Sequence, residues 1–187
     1  MIIGLTGRNA SGKGTVARWL VERGYHYASL SDAIRRWLAE QGVEATRDNL
    51  TAAGRQLRSE GGPGVLAERT LRALPAGRPC VVDSIRNPAE VEVLRRSPGF
   101  WLVEVVADER VRYERLRSRA RAGDAASFEE FQRQEEAELT SASAAGQQLV
   151  ATAALADETL RNDGSEDDLV AILQVREPQW HEPHKRM

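Results

Sequence analysis

The stretch Ile2-Ile3-Gly4-Leu5-Thr6-Gly7-Arg8-Asn9-Ala10-Ser11-Gly12-Lys13-Gly14-Thr15 decides the fold, because an apolar strand runs directly into a match to G-x-x-x-x-G-K. In such a loop the glycines let successive backbone N–H groups face phosphates while the lysine bridges the outer two. Val16, Leu20 and Val21 recur at helical spacing behind the glycines, so a helix N-terminus points at the same phosphates. Lysine usage gives independent support. Of 26 basic residues, only positions 13 and 185 are lysine, so arginine has taken almost every other cationic position and Lys13 has resisted. The chain is expected to bind a nucleoside triphosphate through Gly7, Asn9, Ala10, Ser11, Gly12, Lys13, Gly14 and Thr15.

The position after the lysine usually carries the hydroxyl that meets magnesium, but here it is Gly14 and the hydroxyl arrives one residue later. This Gly-Lys-Gly-Thr ending resembles that of adenylate kinases. Thr15 therefore reads as a phosphate contact, and Mg2+ as an ion held mostly through the water it keeps readily.

With 187 residues the chain suits one α/β domain and is too short for two ordinary ones. Charged residues make up 29% and net charge is -2, which argues against disorder and against a nucleic-acid partner. No apolar run approaches the roughly 18 residues of a spanning helix. The N-terminus has no signal-peptide design, so no membrane association and a cytoplasmic location are expected. The single cysteine, Cys80, excludes an internal disulfide and a multi-cysteine zinc site, and its apolar strand marks it as core.

Strand and helix patterns alternate, which argues for a three-layer α/β domain with a central, mostly parallel five-stranded sheet and helices on both faces. After the first helix, Tyr25 to Leu30 reads as a strand, and Ser31-Asp32 as the cap of a helix ended by Gly42. Helices follow from about Arg47 to Glu60, opened by Thr46, and from about Val65 to Leu74. Pro79 to Asp83 is a buried-type strand, and Asn87-Pro88 caps a helix through about Arg96. Phe100 to Val106 is a strand and Glu109 to Arg121 an arginine-dense helix broken by Gly123-Asp124. Phe128 to Leu139 reads as an exposed helix, Ala144 to Ala156 as another, Glu158 to Arg161 as the last strand and Ser165 to Leu173 as the closing helix. The domain thus spans about 1–175, and the proline-punctuated tail 176–187, with His181 and His184, is expected to be loose and solvated.

Asp83, at the carboxyl end of a buried strand, is where this fold places its second acidic residue, oriented toward the magnesium and its waters. Three residues on, Arg86 sits where a guanidinium could hold a transferring or accepting phosphate bidentately.

The order of the glycine loop, Leu30-Ser31-Asp32-Ala33-Ile34-Arg35, Val82-Asp83-Ser84-Ile85-Arg86-Asn87, Glu114-Arg115-Leu116 and Asn162-Asp163-Gly164 resembles P-loop nucleoside-monophosphate kinases. It is most similar to the dephospho-CoA-kinase-like group of small, mostly archaeal nucleotide kinases, over about Met1 to Val175. The resemblance implies an acceptor-binding helical insertion at about 31–76, a lid at about 110–140, ATP as co-substrate and a small-molecule nucleotide acceptor. It further implies Arg35 on the acceptor phosphate, Asp32 near the attacked group, and Arg55 and Arg58 on the acceptor nucleotide. Arg117 and Arg121 would be lid arginines, and Asn162, Asp163 and Gly164 would line the adenine pocket.

Two enzyme readings differ in the nucleophile. A monophosphate acceptor attacks with an oxygen already ionised and needs arginines such as those at 35, 55, 58 and 86. A dephospho-CoA acceptor attacks with a ribose hydroxyl, for which Asp32 would serve as general base. A third reading is a nucleotide-sensing module without transfer, which would have little need to keep Lys13, Asp83 and Arg86 together.

Overall fold

The computed structural model describes residues 1–119, 127–139 and 148–181. Its centre is β1 (Ile2–Thr6), buried along its whole length. It pairs in parallel with β3 (Cys80–Asp83) on one side and β4 (Phe100–Val106) on the other. β2 (His26–Ser29) lies outside β3 and β5 (Glu158–Arg161) outside β4, giving the order β2-β3-β1-β4-β5 with every pairing parallel. The expected five-stranded α/β sheet is present, and β4 and β5 occupy the residues read from the sequence.

Alternation along the strands builds two cores. Ile2, Val82, Phe100 and Leu102 pack against α2 (Leu30–Glu40), α3 (Arg47–Gly61), α4 (Val65–Ala73) and α5 (Pro88–Leu94). Ile3, Leu5, Val81, Val103 and Val105 pack on the other face against α1 (Lys13–Glu22) and α9 (Glu166–Trp180). Cys80 is buried in the first of these cores, as its apolar strand implies, and Trp19 is buried in the second. Between β4 and β5 come α6 (Glu109–Arg119), α7 (Phe128–Leu139) and α8 (Leu149–Ala153). Among the described residues no helix is long and apolar enough to cross a membrane.

Four local expectations change. The cap of α2 is Ser29, whose Oγ accepts the Ser31 N–H, because β2 turns into the helix with no intervening loop. α7 is not an exposed helix, since Phe131 packs on Leu116 and Glu135 is buried. α8 is shorter than expected, and 144–147 lie outside the described residues.

The fourth change concerns the C-terminus. α9 continues past Leu173 and through Pro178 to Trp180, so positions 176–180 are docked helix. Trp180 is only 2% exposed, and its indole N–H donates to Glu158 Oε2 at 2.6 Å. Burying an indole outweighs the cost of a proline near a helix end. Tyr25 adds a second tie, its hydroxyl donating to Glu177 at 2.7 Å. Trp180→Ala is therefore expected to lower the unfolding free energy by about 3–5 kcal/mol in a denaturant titration. A solvated tail would give a change within about 0.5 kcal/mol.

Candidate active site

The loop from Gly7 to Gly12 is shaped by packing. Gly7 has φ 127°, and a Cβ there would stand 2.2 Å from the Val105 carbonyl oxygen. Gly12, at φ 108°, caps α1, and a Cβ there would stand 2.1 Å from Asn162 Nδ2. Only glycine fits where a carbonyl and an amide approach this closely. The Asn162 amide donates to Ser11 O at 2.8 Å, so the loop after the last strand braces the glycine loop from behind. Lys13 Nζ reaches back over the loop to the carbonyls of Gly7 and Arg8, each at 2.7 Å. Its ammonium thus lies across the concavity of the loop.

Strands β1 and β3 are direct neighbours, so Asp83 emerges beside this loop. Its Oδ1 accepts the Ser84 N–H at 2.5 Å. Register sets Ser29 opposite Asp83, and Tyr27 lies two residues earlier on the same strand. Burial, and then the Asp83 carboxylate, push the Tyr27 phenol upward and keep it protonated. Tyr27 is a neighbour of the site that the sequence reading missed. Asp32 and Arg35 are joined by a half-exposed ion pair of 2.9 Å at the start of α2.

Arg58 departs from expectation. Its side chain is 5% exposed, and its Nε and Nη2 donate to Glu90 Oε1 at 3.0 and 2.7 Å. The guanidinium is committed to a buried partner on α5 and cannot lie on an acceptor, whereas Arg55 is exposed on α3. Glu90 uses its other oxygen, Oε2, to accept the N–H groups of Arg86 and Asn87 at 2.9 and 3.1 Å. Asn87 returns the favour in a capping box, accepting the Ala89 N–H. Arg58 therefore acts through Glu90 on the backbone that carries Arg86. The Asn-x-x-Glu spacing of a capping box was the signal available in the sequence.

On the opposite side, α6 presents the buried Arg112 and Leu116 and the half-buried Arg119 along one face. Arg112 forms a bidentate pair with Glu135 of α7 in which both groups are nearly buried, and Arg8 of the glycine loop joins the same carboxylate at 3.2 Å. Arg119 Nη2 donates to Asn9 Oδ1 at 3.2 Å. The arginines brought to the loop are thus Arg8 and Arg119, while Arg117 lies 6.0 Å from the Tyr113 ring centroid. Arg121 lies outside the described residues. Helical spacing from the apolar Leu116 would have picked out Arg112 and Arg119.

The turn 162–164 is also more occupied than expected. Asn162 is 5% exposed and spends its amide on the loop. Arg115 donates to the carbonyls of Asn162 and Gly164, each at 2.9 Å. Asp163 accepts the Asp108 N–H and the Arg161 Nε–H, the first of these being the main reason its carboxyl lies below the usual range.

Breaking the Arg58–Glu90 pair strands a buried charge. Arg58→Ala is expected to cost about 3–5 kcal/mol in a chemical unfolding curve. An arginine held only by solvent and ligand would cost at most about 1 kcal/mol.

Comparison with known proteins agrees with this fold. A family profile described as an AAA domain matches residues 3–140. A UPF0200 protein of Pyrobaculum aerophilum is 36% identical over 131 residues, covering 70% of this chain and 72% of its own. One of Pyrococcus abyssi is 33% identical over 172 residues, covering 88% and 89%. Among solved structures, TT1252 from Thermus thermophilus superposes with a TM-score of 0.60 at 24% identity, covering 96% of this chain and 97% of its own. Shikimate kinase from Bacteroides thetaiotaomicron superposes with 0.59 at 14% identity, covering 95% and 98%. These two likenesses are of fold, and the fold is that of P-loop kinases. With its AAA-domain match and relatives that align along most of their length, the chain belongs to the UPF0200 family.

Proposed function

We propose that the protein is an ATP-dependent, cytoplasmic phosphotransferase that moves the γ-phosphoryl group to a nucleoside or deoxynucleoside monophosphate. The observation that carries this reading is the placing of Lys13, Asp83 and Arg86 at the carboxyl ends of two adjacent strands, β1 and β3. Phosphoryl transfer asks for little covalent chemistry and much positioning and charge neutralisation. Lys13 and the loop N–H groups would hold the donor phosphates. Arg8 and Arg119 are the arginines best placed to close on them, after exchanging Glu135 and Asn9 for phosphate oxygens. Arg35, Arg55 and Arg86 remain as acceptor candidates, with Arg58 as their support.

The donor set fits magnesium held mainly by phosphates and water. Asp83 supplies one carboxylate, and among the described residues no three metal-ligating side chains gather. When bound, the ion would neutralise charge developing between the donor phosphates.

Transfer to a ribose hydroxyl, in the manner of a dephospho-CoA kinase, would ask Asp32 to take a proton. That carboxylate is already engaged by Arg35, which favours the acceptor whose oxygen is ionised beforehand. A sensing module without transfer remains the third reading and is separated by activity alone.

In a coupled ATP-consumption assay with magnesium, across the ribo- and deoxyribonucleoside monophosphates and dephospho-CoA, one monophosphate should support turnover. Lys13→Ala should lower that rate by roughly 10²–10³-fold with the fold intact. Turnover with dephospho-CoA alone would restore Asp32 as a base, and silence with every acceptor would favour the sensing module.

A further inference from the structure

Ser84 is one of two non-glycine residues with left-handed backbone among the described residues, at φ 67°. A Cβ disfavours that conformation, and such residues persist where their surroundings over-determine them. Here both flanks are pinned. Ile85 donates its N–H to Leu5 O at 3.3 Å and accepts from Thr6 Oγ1 at 2.9 Å, so it is tied to β1. Arg86 and Asn87 are tied to Glu90, and Arg86 O accepts the Gln148 N–H at 2.8 Å. The Ser84 N–H itself is taken by Asp83.

The serine's hydroxyl ends a chain whose direction follows from counting protons. Arg35 Nη1 donates to Ser31 Oγ at 3.1 Å, and a guanidinium can only donate. Ser29 Oγ donates to Ser84 Oγ at 3.1 Å, which spends its only proton. The 2.7 Å contact between Ser29 and Ser31 is then a donation from Ser31. Hydrogen bonds therefore run from Arg35 through Ser31 and Ser29 to Ser84, whose own O–H has no acceptor among the described residues. A chain headed by a cation polarises each successive hydroxyl and strengthens its last donor. What that donor suits is an acceptor-only, anionic oxygen, between the Asp83 corner and Arg86.

We infer that Ser84 is an acceptor-binding residue, whose strained backbone aims a polarised O–H at a phosphoryl oxygen of the acceptor beside Arg86. This rests on the phosphotransferase reading and sharpens it, because the site then presents a proton donor suited to an acceptor phosphate. Strain is retained because it serves the ligand, which separates stability from binding.

The test uses Ser84→Gly, which removes hydroxyl and strain together, and Ser84→Ala, which removes the hydroxyl alone. In both, the KM for the accepted monophosphate should rise about tenfold or more, the loss of one hydrogen bond to a charged group, with the KM for ATP unchanged. Ser84→Gly should also melt above the wild type, by about 2 °C. An unchanged acceptor KM in both variants, or a fall confined to kcat, overturns the inference. Should the wild-type protein transfer to no acceptor, the phosphotransferase reading fails first, and a titration with inorganic phosphate read on backbone amide resonances decides the rest. Shifts at residues 84–87 that vanish in Ser84→Ala support the assignment. Shifts confined to the glycine loop, or unaltered in Ser84→Ala, overturn it.

Discussion

One buried carboxylate holds together the half of the candidate site that carries Asp83 and Arg86. Glu90 accepts two hydrogen bonds from Arg58 on one oxygen and two backbone N–H groups, of Arg86 and Asn87, on the other. With no exposure of its own, it must satisfy every lone pair within the protein, and it does so with three segments of the chain. The insertion helix α3, the start of α5 and the loop after β3 are thereby fixed to one another. Without that anchor the left-handed turn at Ser84 would relax, and Arg86 would lose its defined relation to Asp83.

The glycine-loop half follows the same logic with a neutral group. Asn162 occupies the space that a Cβ at Gly12 would need and donates to Ser11 O. The glycine loop is thus supported by the far end of the sheet, while α6 and α7 approach it from outside through Arg119 and the Arg8–Glu135–Arg112 cluster. In each half a buried polar side chain acts from behind, so the groups that would meet phosphate are positioned before it arrives. Preorganisation of this kind is what phosphoryl transfer requires of a protein.

Much of this was legible in the sequence because it is local. The glycine loop is a contiguous motif, and β3 and β4 are apolar runs closed by recognisable turns. Caps such as Thr46, Asn87 and Ser165 lie next to the helices they start. What was not legible depends on partners far along the chain. Arg58 looks like any arginine on a helix until Glu90, 32 residues on, is packed against it. Asn162 reads as a turn residue until it meets Ser11, 151 residues away. Pro178 signals a helix end, and the burial of Trp180 together with the Tyr25–Glu177 hydrogen bond overrides it. Arg119 was hidden by a different cause, the density of arginine on α6, where charge alone does not distinguish the face turned to the glycine loop from a solvated one.

The central claim is that the two halves form one transfer site, and 31P NMR of a mixture of ATP, magnesium and the nucleoside monophosphates tests it most directly. The account predicts that ADP appears together with the diphosphate of a single added acceptor, and that inorganic phosphate stays minor. ADP accompanied by inorganic phosphate alone, or no change in the ATP signals, would contradict it.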